Sequence, residues 1–450
     1  MKGITPRIIE KVCSGRFIGE AAVLDEEISF ITRDSREAAA GCLFAAIPGE
    51  RVDGHDFLEM CREKGAVCAI CQREVENTAL PYVLVENTQT ALGALSAWYR
   101  QQFDIPVIGI TGSVGKTSAK EMIASVLSQK FNTLKTQGNY NNELGVPLTL
   151  FGLNESHEAA VVEMGISDFG EMERLTAMVQ PTAAVITTVG YSHLECLGDL
   201  NGVLRAKTAI TNGMKPDAVL MVNGDDEKLR GYSAPCQKLC YGINDANDLR
   251  AENVRAKGLE GMELDIVSGE RRIHASINAF GDHLVYAALA AAAVGMMLDL
   301  SDTEISDGIA AYSPVGRRSL AVEGRICTVI DDCYNSNPNS ATSALRSLAL
   351  LKGKRVAILG DMLELGRDSA ELHAMVGSFA GECADLVITQ GKMSRYIYDA
   401  AKKKTKAVHF DEKSQLLAAL PELIEKSDLV LVKASRGMRF EDVSEALFKL

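Results

Sequence analysis

The stretch Ile108–Ser118, IGITGSVGKTS, decides how the rest of the chain is read. An apolar run, Ile105 to Ile110, precedes it, and Met122, Ile123, Val126 and Leu127 follow at helical spacing. A strand entering a glycine loop, then Lys-Thr, then a helix is a phosphate cradle. Glycines let backbone N–H groups approach phosphate oxygens, and the helix start adds the positive end of its dipole. In such a loop Lys116 reaches the terminal phosphates and the Thr117 hydroxyl binds Mg²⁺. The spacing departs from GxxxxGK(S/T): Ile110 stands where the first glycine belongs, and Gly109, Gly112 and Gly115 make GxxGxxGKT. Gly112, Ser113, Gly115, Lys116, Thr117 and Ser118 are the candidate ATP-binding residues of this stretch.

A chain of 450 residues is expected to hold two to four domains. Its composition, 47% apolar and 24% charged, is that of a globular protein, and a net charge of −13 argues against a nucleic-acid partner. Eleven cysteines are scattered, and only Cys68 and Cys71 form a CxxC pair. Without a second pair at zinc-site spacing, a reduced compartment is the better fit. The opening MKGITPRIIEKV carries charges where a signal peptide needs an apolar core. The longest apolar run, Val285 to Leu298, is too short to span a bilayer. A cytoplasmic chain with no membrane span is expected.

Before the phosphate loop, Leu43 to Ile47 reads as a strand, Pro48-Gly49 as its turn and Asp56 to Lys64 as a helix. Asp34, Ser35 and Arg36 taken alone are a polar turn. A helix from about Thr88 to Gln102 leads into the loop. After it, TQGNYNNELGVPLTLF (Thr136–Phe151) carries Asn139, Asn141 and Asn142, amides that suit a polar substrate as well as a plain loop. EAAVVEMG reads as a buried strand ending in Glu163, the Mg²⁺-holding position of nucleotide-binding α/β folds. AAVITTVG and the following Ser192-His193-Leu194-Glu195 put His193 at the same sheet edge. Lys207, in the helical stretch Leu200 to Gly213, reads on pattern alone as solvated. Tyr241 to Ile277 is a strand-rich meander. Beyond a boundary at Ser313–Gly316, strands Cys327–Ile330, Arg355–Leu359, Leu386–Thr389 and Leu429–Lys433 alternate with helices, which predicts a second, parallel doubly wound sheet.

The chain resembles the Mur ligases, ATP-dependent amide-forming enzymes of peptidoglycan precursor synthesis. The motifs that carry the resemblance are DSR with GxxxDGHDF, ITGSVGKTS, GNYNNELGVPLTL, EMG, SHLE with the downstream RAK, DDCYNSNPNS, GDMLELG and KASRGM. GNYNNELGVPLTL, DDCYNSNPNS and GDMLELG are similar to the member that adds D-alanyl-D-alanine to UDP-N-acetylmuramoyl-tripeptide through an acyl phosphate. The resemblance implies an α/β protein of three domains. These are a small α/β N-terminal domain binding the UDP-muropeptide (1–86), a central ATP-binding sheet (87–314), and a Rossmann-like C-terminal domain binding the dipeptide and closing over ATP (315–450). Asp34, Ser35 and Arg36 match the uridine-nucleotide region, and Asn139 and Asn142 lie in the loop expected near the muropeptide. Thr117, Glu163 and His193 match Mg²⁺ ligands, and Lys207 matches a lysine carbamoylated in several members; Lys116, Glu163, His193 and Lys207 are the implied catalytic set. Arg317, Asp332, Tyr334 and Asn335 match the nucleotide site from the last domain, and Lys433, Ser435 and Arg436 the dipeptide region. A monomer is expected.

Several positions differ from the family pattern. GDHLVYAALAA stands where GxHNxxNALAA is usual, so Leu284 and Ala287 replace two asparagines, one of which contacts adenine. Thr208-Ala209 replaces a usual acidic position, and Cys333 a Ser or Thr. The alternatives are a ligase adding the third amino acid, a folate-polyglutamylating relative, a non-catalytic binding relative and a nucleotide-switch NTPase.

Overall fold

A computed structural model describes residues 1–49 and 51–450. It contains three sheets in chain order, each with apolar clusters on both faces. The first sheet has five short strands in the order Arg16–Ile18, Tyr82–Leu84, Cys68–Cys71, Cys42–Ala45, Phe30–Thr32, and only the first pairs antiparallel. The CxxC pair lies in one buried strand with free thiols, so it is core.

The second sheet has nine strands. Five of them, Val219–Asn223, Ala183–Ile186, Val107–Thr111, Ala159–Glu163 and Thr133–Lys135, are parallel neighbours in that order. Their apolar residues serve both faces, as a sheet covered on two sides requires. Val161 enters the cluster under helix Leu284–Met297, and Val162 enters the opposite one. From Val107–Thr111 the chain runs first to one side of that strand and then crosses to the other. The carboxyl end of Val107–Thr111 is therefore a topological switch point, where open α/β sheets bind ligands. The meander beyond Tyr241 extends the sheet with strands Gln237–Gly242, Leu249–Ala256, Met262–Ser268 and Arg271–Ile277, the last three pairing antiparallel with one another in turn. The apolar run near Val285 is the buried helix Leu284–Met297, which packs on helix Lys116–Leu127. Helix Asp302–Ala310 packs there too, because Gly308 brings its backbone against Val126, where a Cβ would lie 2.4 Å from Val126 Cα.

The third sheet has the order Leu320–Glu323, Thr328–Asp331, Leu429–Lys433, Arg355–Gly360, Leu386–Gln390, Lys406–Phe410. It is parallel except at its first strand, which the tight link Gly324–Cys327 folds back as a hairpin. Among the described residues no helix is long and apolar enough to cross a membrane.

Candidate active site

The phosphate loop leaves the sheet at Gly112, whose φ is +147° and whose Cβ would lie 1.9 Å from Thr187 Oγ1; no side chain fits there. Ser113 Oγ accepts from Gly190 N at 2.9 Å and from Ser192 Oγ at 3.0 Å, tying the loop to the segment after the neighbouring strand. Helix Lys116–Leu127 starts at Gly115, presenting its unpaired N–H groups to the same space. Lys116 Nζ donates to Gly112 O at 2.7 Å. Burial lowers its pKa; Glu163 opposes that shift and Arg318 adds to it.

Strand register puts Glu163 opposite Ile110, at the loop's edge of the sheet. The carboxylate is buried and each oxygen accepts one bond, from Thr117 Oγ1 to Oε2 at 3.0 Å and from Asn141 Nδ2 to Oε1 at 2.8 Å, which leaves lone pairs for an ion. A hydroxyl, a carboxylate and an amide oxygen are hard donors, and Mg²⁺ takes one or two carboxylates and completes its shell with substrate phosphates and water. The donor set fits that ion.

His193 adopts a left-handed backbone (φ +53°) at the start of the short helix Leu194–Leu197. Its Nδ1 lies 2.7 Å from Glu364 Oε2, which comes from the third sheet's unit. Burial lowers the His193 pKa, Glu364 opposes this, and Lys116 and Lys207 add to it, so the neutral imidazole is favoured. Lys207 is 1% exposed, on the side of helix Leu200–Thr208 that also buries Val203 and Ala206. Burial, and then Lys116, hold its pKa well below that of a free lysine. A solvated Lys207, the reading of pattern alone, is overturned: the residue follows the apolar face at positions 203, 206, 207 and 210.

A cavity of about 400 Å³ gathers most of these groups. Its lining includes Ser113, Gly115, Lys116, Thr117, Ser118, Glu163 and His193 from the central unit and Asp332, Tyr334, Asn335 and Lys433 from the third. Asn139 and Asn142 line it too; Asn142 Oδ1 accepts from Gly145 N, leaving its amide N–H groups to the cavity. Arg317 is not in the lining. It pairs with the buried Asp331 and with Glu445, each at 2.9 Å, while its neighbour Arg318 enters the cavity and stacks on Tyr334 at 3.9 Å from the ring centre. Of the dipeptide candidates, Lys433 Nζ is held by Asp332 Oδ2 at 2.6 Å, and the Ser435 hydroxyl is taken up by Leu363 N and Ser336 O. Arg436 lies over the same Tyr334 ring at 5.0 Å from its centre. Asp34, Ser35 and Arg36 lie in the first unit, outside the cavity lining, with Asp34 clasped by the Arg36 guanidinium.

A second cavity of about 300 Å³ shares Val114, Gly115 and Ser118 with the first and continues past Asn223, Asp225, Tyr286 and Ala287. Tyr286 OH donates to Asp225 Oδ2 at 3.1 Å, and His283 lines both cavities. Leu284 is buried and outside both linings. Two residues that the sequence left unassigned thus belong to this region, Arg318 and Glu364, and Asn141, read there as a candidate substrate amide, instead holds Glu163. Asn141 and Glu364 stand inside quoted motifs, and Arg318 differs from the expected arginine by one position.

Three family models match in chain order: Mur ligase family, catalytic domain, at 27–100; Mur ligase middle domain at 110–295; and Mur ligase, glutamate ligase domain, at 316–436. The UDP-N-acetylmuramoyl-tripeptide--D-alanyl-D-alanine ligase of Bacillus subtilis is 37% identical over 93% of both chains. The crystal structure of MurF from Acinetobacter baumannii superposes with a TM-score of 0.91 at 30% identity over 99% of both chains. MurF from Thermotoga maritima in complex with ADP superposes at 0.85, with 27% identity over 94% of this chain and 98% of that one. With all three models matched and relatives covered almost end to end, the chain belongs to the Mur ligase family.

Proposed function

We propose that the protein is an ATP-dependent ligase that joins D-alanyl-D-alanine to UDP-N-acetylmuramoyl-tripeptide, giving the pentapeptide, ADP and phosphate. The observation that carries this is end-to-end similarity to relatives of that activity, together with their motif loops meeting around one cavity at the phosphate loop. In this reading the first unit (1–86) holds the uridine nucleotide through Asp34, Ser35 and Arg36. The central unit (87–314) holds ATP, and the third (315–450) brings the dipeptide. The reading takes the protein as a monomer, and the eleven free cysteines suit the cytoplasm.

The chemistry has two displacements. A terminal carboxylate oxygen of the tripeptide attacks the γ-phosphorus, the bond to the β–γ bridging oxygen breaks, and ADP leaves with an acyl phosphate formed. The neutral amine of the dipeptide then attacks the acyl carbon, the C–O bond to phosphate breaks, and the amine proton passes to solvent or phosphate. Lys116, Arg318 and the helix start hold the phosphate charge that shifts during the first step. Asn141 fixes the Glu163 carboxylate, and Asn139 and Asn142 orient the tripeptide end. Arg318 carries the role expected of Arg317. The nucleoside lies in the second cavity, where Asn223 and Asp225 supply the polar groups that Leu284 and Ala287 lack. Thr117 and Glu163 would hold Mg²⁺, which supplies positive charge against the converging carboxylate and phosphate oxygens. Burial disfavours the charged form of Lys207; its neutral amine is the form that adds CO₂ with loss of a proton, and as a carbamate it would join His193 in holding a second Mg²⁺. Alignment of three substrates is worth about 7–11 kcal/mol, and closure keeps water from the acyl phosphate.

A panel of acceptors and incoming amines tests the reading. UDP-N-acetylmuramoyl-tripeptide with D-Ala-D-Ala is expected to turn over far faster than the dipeptide precursor with diaminopimelate or lysine, or a folate with glutamate. Preference for any of the latter pairs would replace the assignment.

A further inference from the structure

Besides contacts of Ser343 and Ser347 with Asp282, the third unit touches the central one at two neighbouring points of a single segment. Asn339 Oδ1 accepts from Tyr191 N at 2.9 Å, and two residues on, Glu364 Oε2 lies 2.7 Å from His193 Nδ1. Both partners of the second contact hold left-handed backbone, φ +53° at His193 and +62° at Glu364. Non-glycine residues keep such conformations where the surroundings fix them, and here the adjoining Leu194 and Leu365 are buried in one apolar cluster. The same segment holds the phosphate loop through Ser113, so Glu364 meets a segment that also braces that loop.

The pair is built for orientation more than for stability. The Glu364 side chain is 61% exposed, and an ion pair that open contributes little energy. A carboxylate 2.7 Å from Nδ1 favours the proton on that nitrogen, which leaves the Nε2 lone pair to the cavity that His193 lines. Imidazoles that bind metal commonly have the other ring nitrogen held by a carboxylate, which sets tautomer and ring orientation. The two residues are far apart in the sequence and belong to different units, so the carboxylate is in place only when those units are docked.

We propose that Glu364 is a positioning residue for His193, delivered by the third unit, so that docking itself sets the imidazole in its working tautomer. This rests on the His193 role given under Proposed function. Glu364→Ala is expected to lower kcat about 10–100-fold with the KM values of all three substrates unchanged. Glu364→Gln, whose amide oxygen can still accept from Nδ1, is expected to keep part of that rate. Mn²⁺ titration by electron paramagnetic resonance, with ADP present, is expected to show half-saturation raised by a similar factor in the alanine variant. That readout does not depend on turnover, so equal Mn²⁺ affinities overturn the inference even if the peptide substrates are other than proposed. A raised KM with unchanged kcat also overturns it, because the pair would then only dock the units. Thermal unfolding of both variants is expected to match the wild type, given the exposure of Glu364.

Discussion

The Thr117 hydroxyl donates to Glu163 Oε2 across 3.0 Å, joining the start of the phosphate-loop helix to the carboxyl end of the adjacent strand. Glu163→Gln keeps the size of the side chain and its place between Thr117 and Asn141 while removing the charge. Activity is expected to fall at least about 100-fold, in line with losing one preorganised charge interaction. Unfolding in urea is expected to be nearly unchanged. Phosphate release and equilibrium unfolding of one preparation check both halves, and a destabilised variant would make Glu163 a structural residue.

Lys207→Met tests the buried amine. Burial without a carboxylate partner penalises the ammonium form, and Met restores apolar volume. The variant is expected to melt at a higher temperature and to lose at least about 100-fold in activity, a trade found where function needs a destabilised group. A variant that keeps its activity removes Lys207 from the site.

Neighbouring arginines are expected to divide their effects. Arg317→Ala strips the partner from buried Asp331 and is expected to lower stability by about 1–3 kcal/mol. Arg318→Ala is expected to leave stability within about 0.5 kcal/mol and to lower the rate with ATP, since this side chain enters the cavity. Melting curves and ATP kinetics of the two variants would show the reverse pattern if Arg317 were the nucleotide contact.

Glu121 supplies an acid-side test. It is buried between Lys120 Nζ at 2.7 Å and Lys135 Nζ at 2.5 Å. Burial alone would raise its pKa, but the hydrogen bonds from Lys120 and Lys135 outweigh burial and lower it. The folded protein then binds fewer protons than the unfolded chain between the lowered value and about pH 4.3, so stability rises with pH across that window. The contribution is complete above about pH 4.3 and lost as pH falls through the folded value. Glu121→Gln is expected to cost about 1–3 kcal/mol at neutral pH, with the gap to wild type closing in acid. Urea unfolding at both conditions measures the gap, and a constant gap would contradict the sign.

The phosphate loop is legible in the sequence because its chemistry is local: glycines, Lys-Thr and a helix start lie within one turn of chain. Glu163 and His193 are legible for a related reason, since strand ends in a parallel sheet share an edge. Lys207 is not, because a lysine in a helical pattern reads as solvated and only tertiary packing turns it inward; the family motif marked it. Arg317 and Arg318 are adjacent, and the choice between them depends on how the chain turns at Gly316, where φ is +66°. Edge strands Thr133–Lys135, Leu320–Glu323 and Lys406–Phe410 are half-exposed and mixed in composition, so they carry no alternating signal. The Glu364 contact with His193 belongs to docking of separate units, which no local pattern encodes.

The most direct measurement follows phosphate release from ATP with UDP-N-acetylmuramoyl-tripeptide, with and without D-Ala-D-Ala, and the mass of the product. The expected result is release that requires both substrates together, with the pentapeptide formed mole for mole with phosphate. Release indifferent to the dipeptide, or binding of the muropeptide with no product, would contradict the assignment of this chain as the D-alanyl-D-alanine-adding ligase.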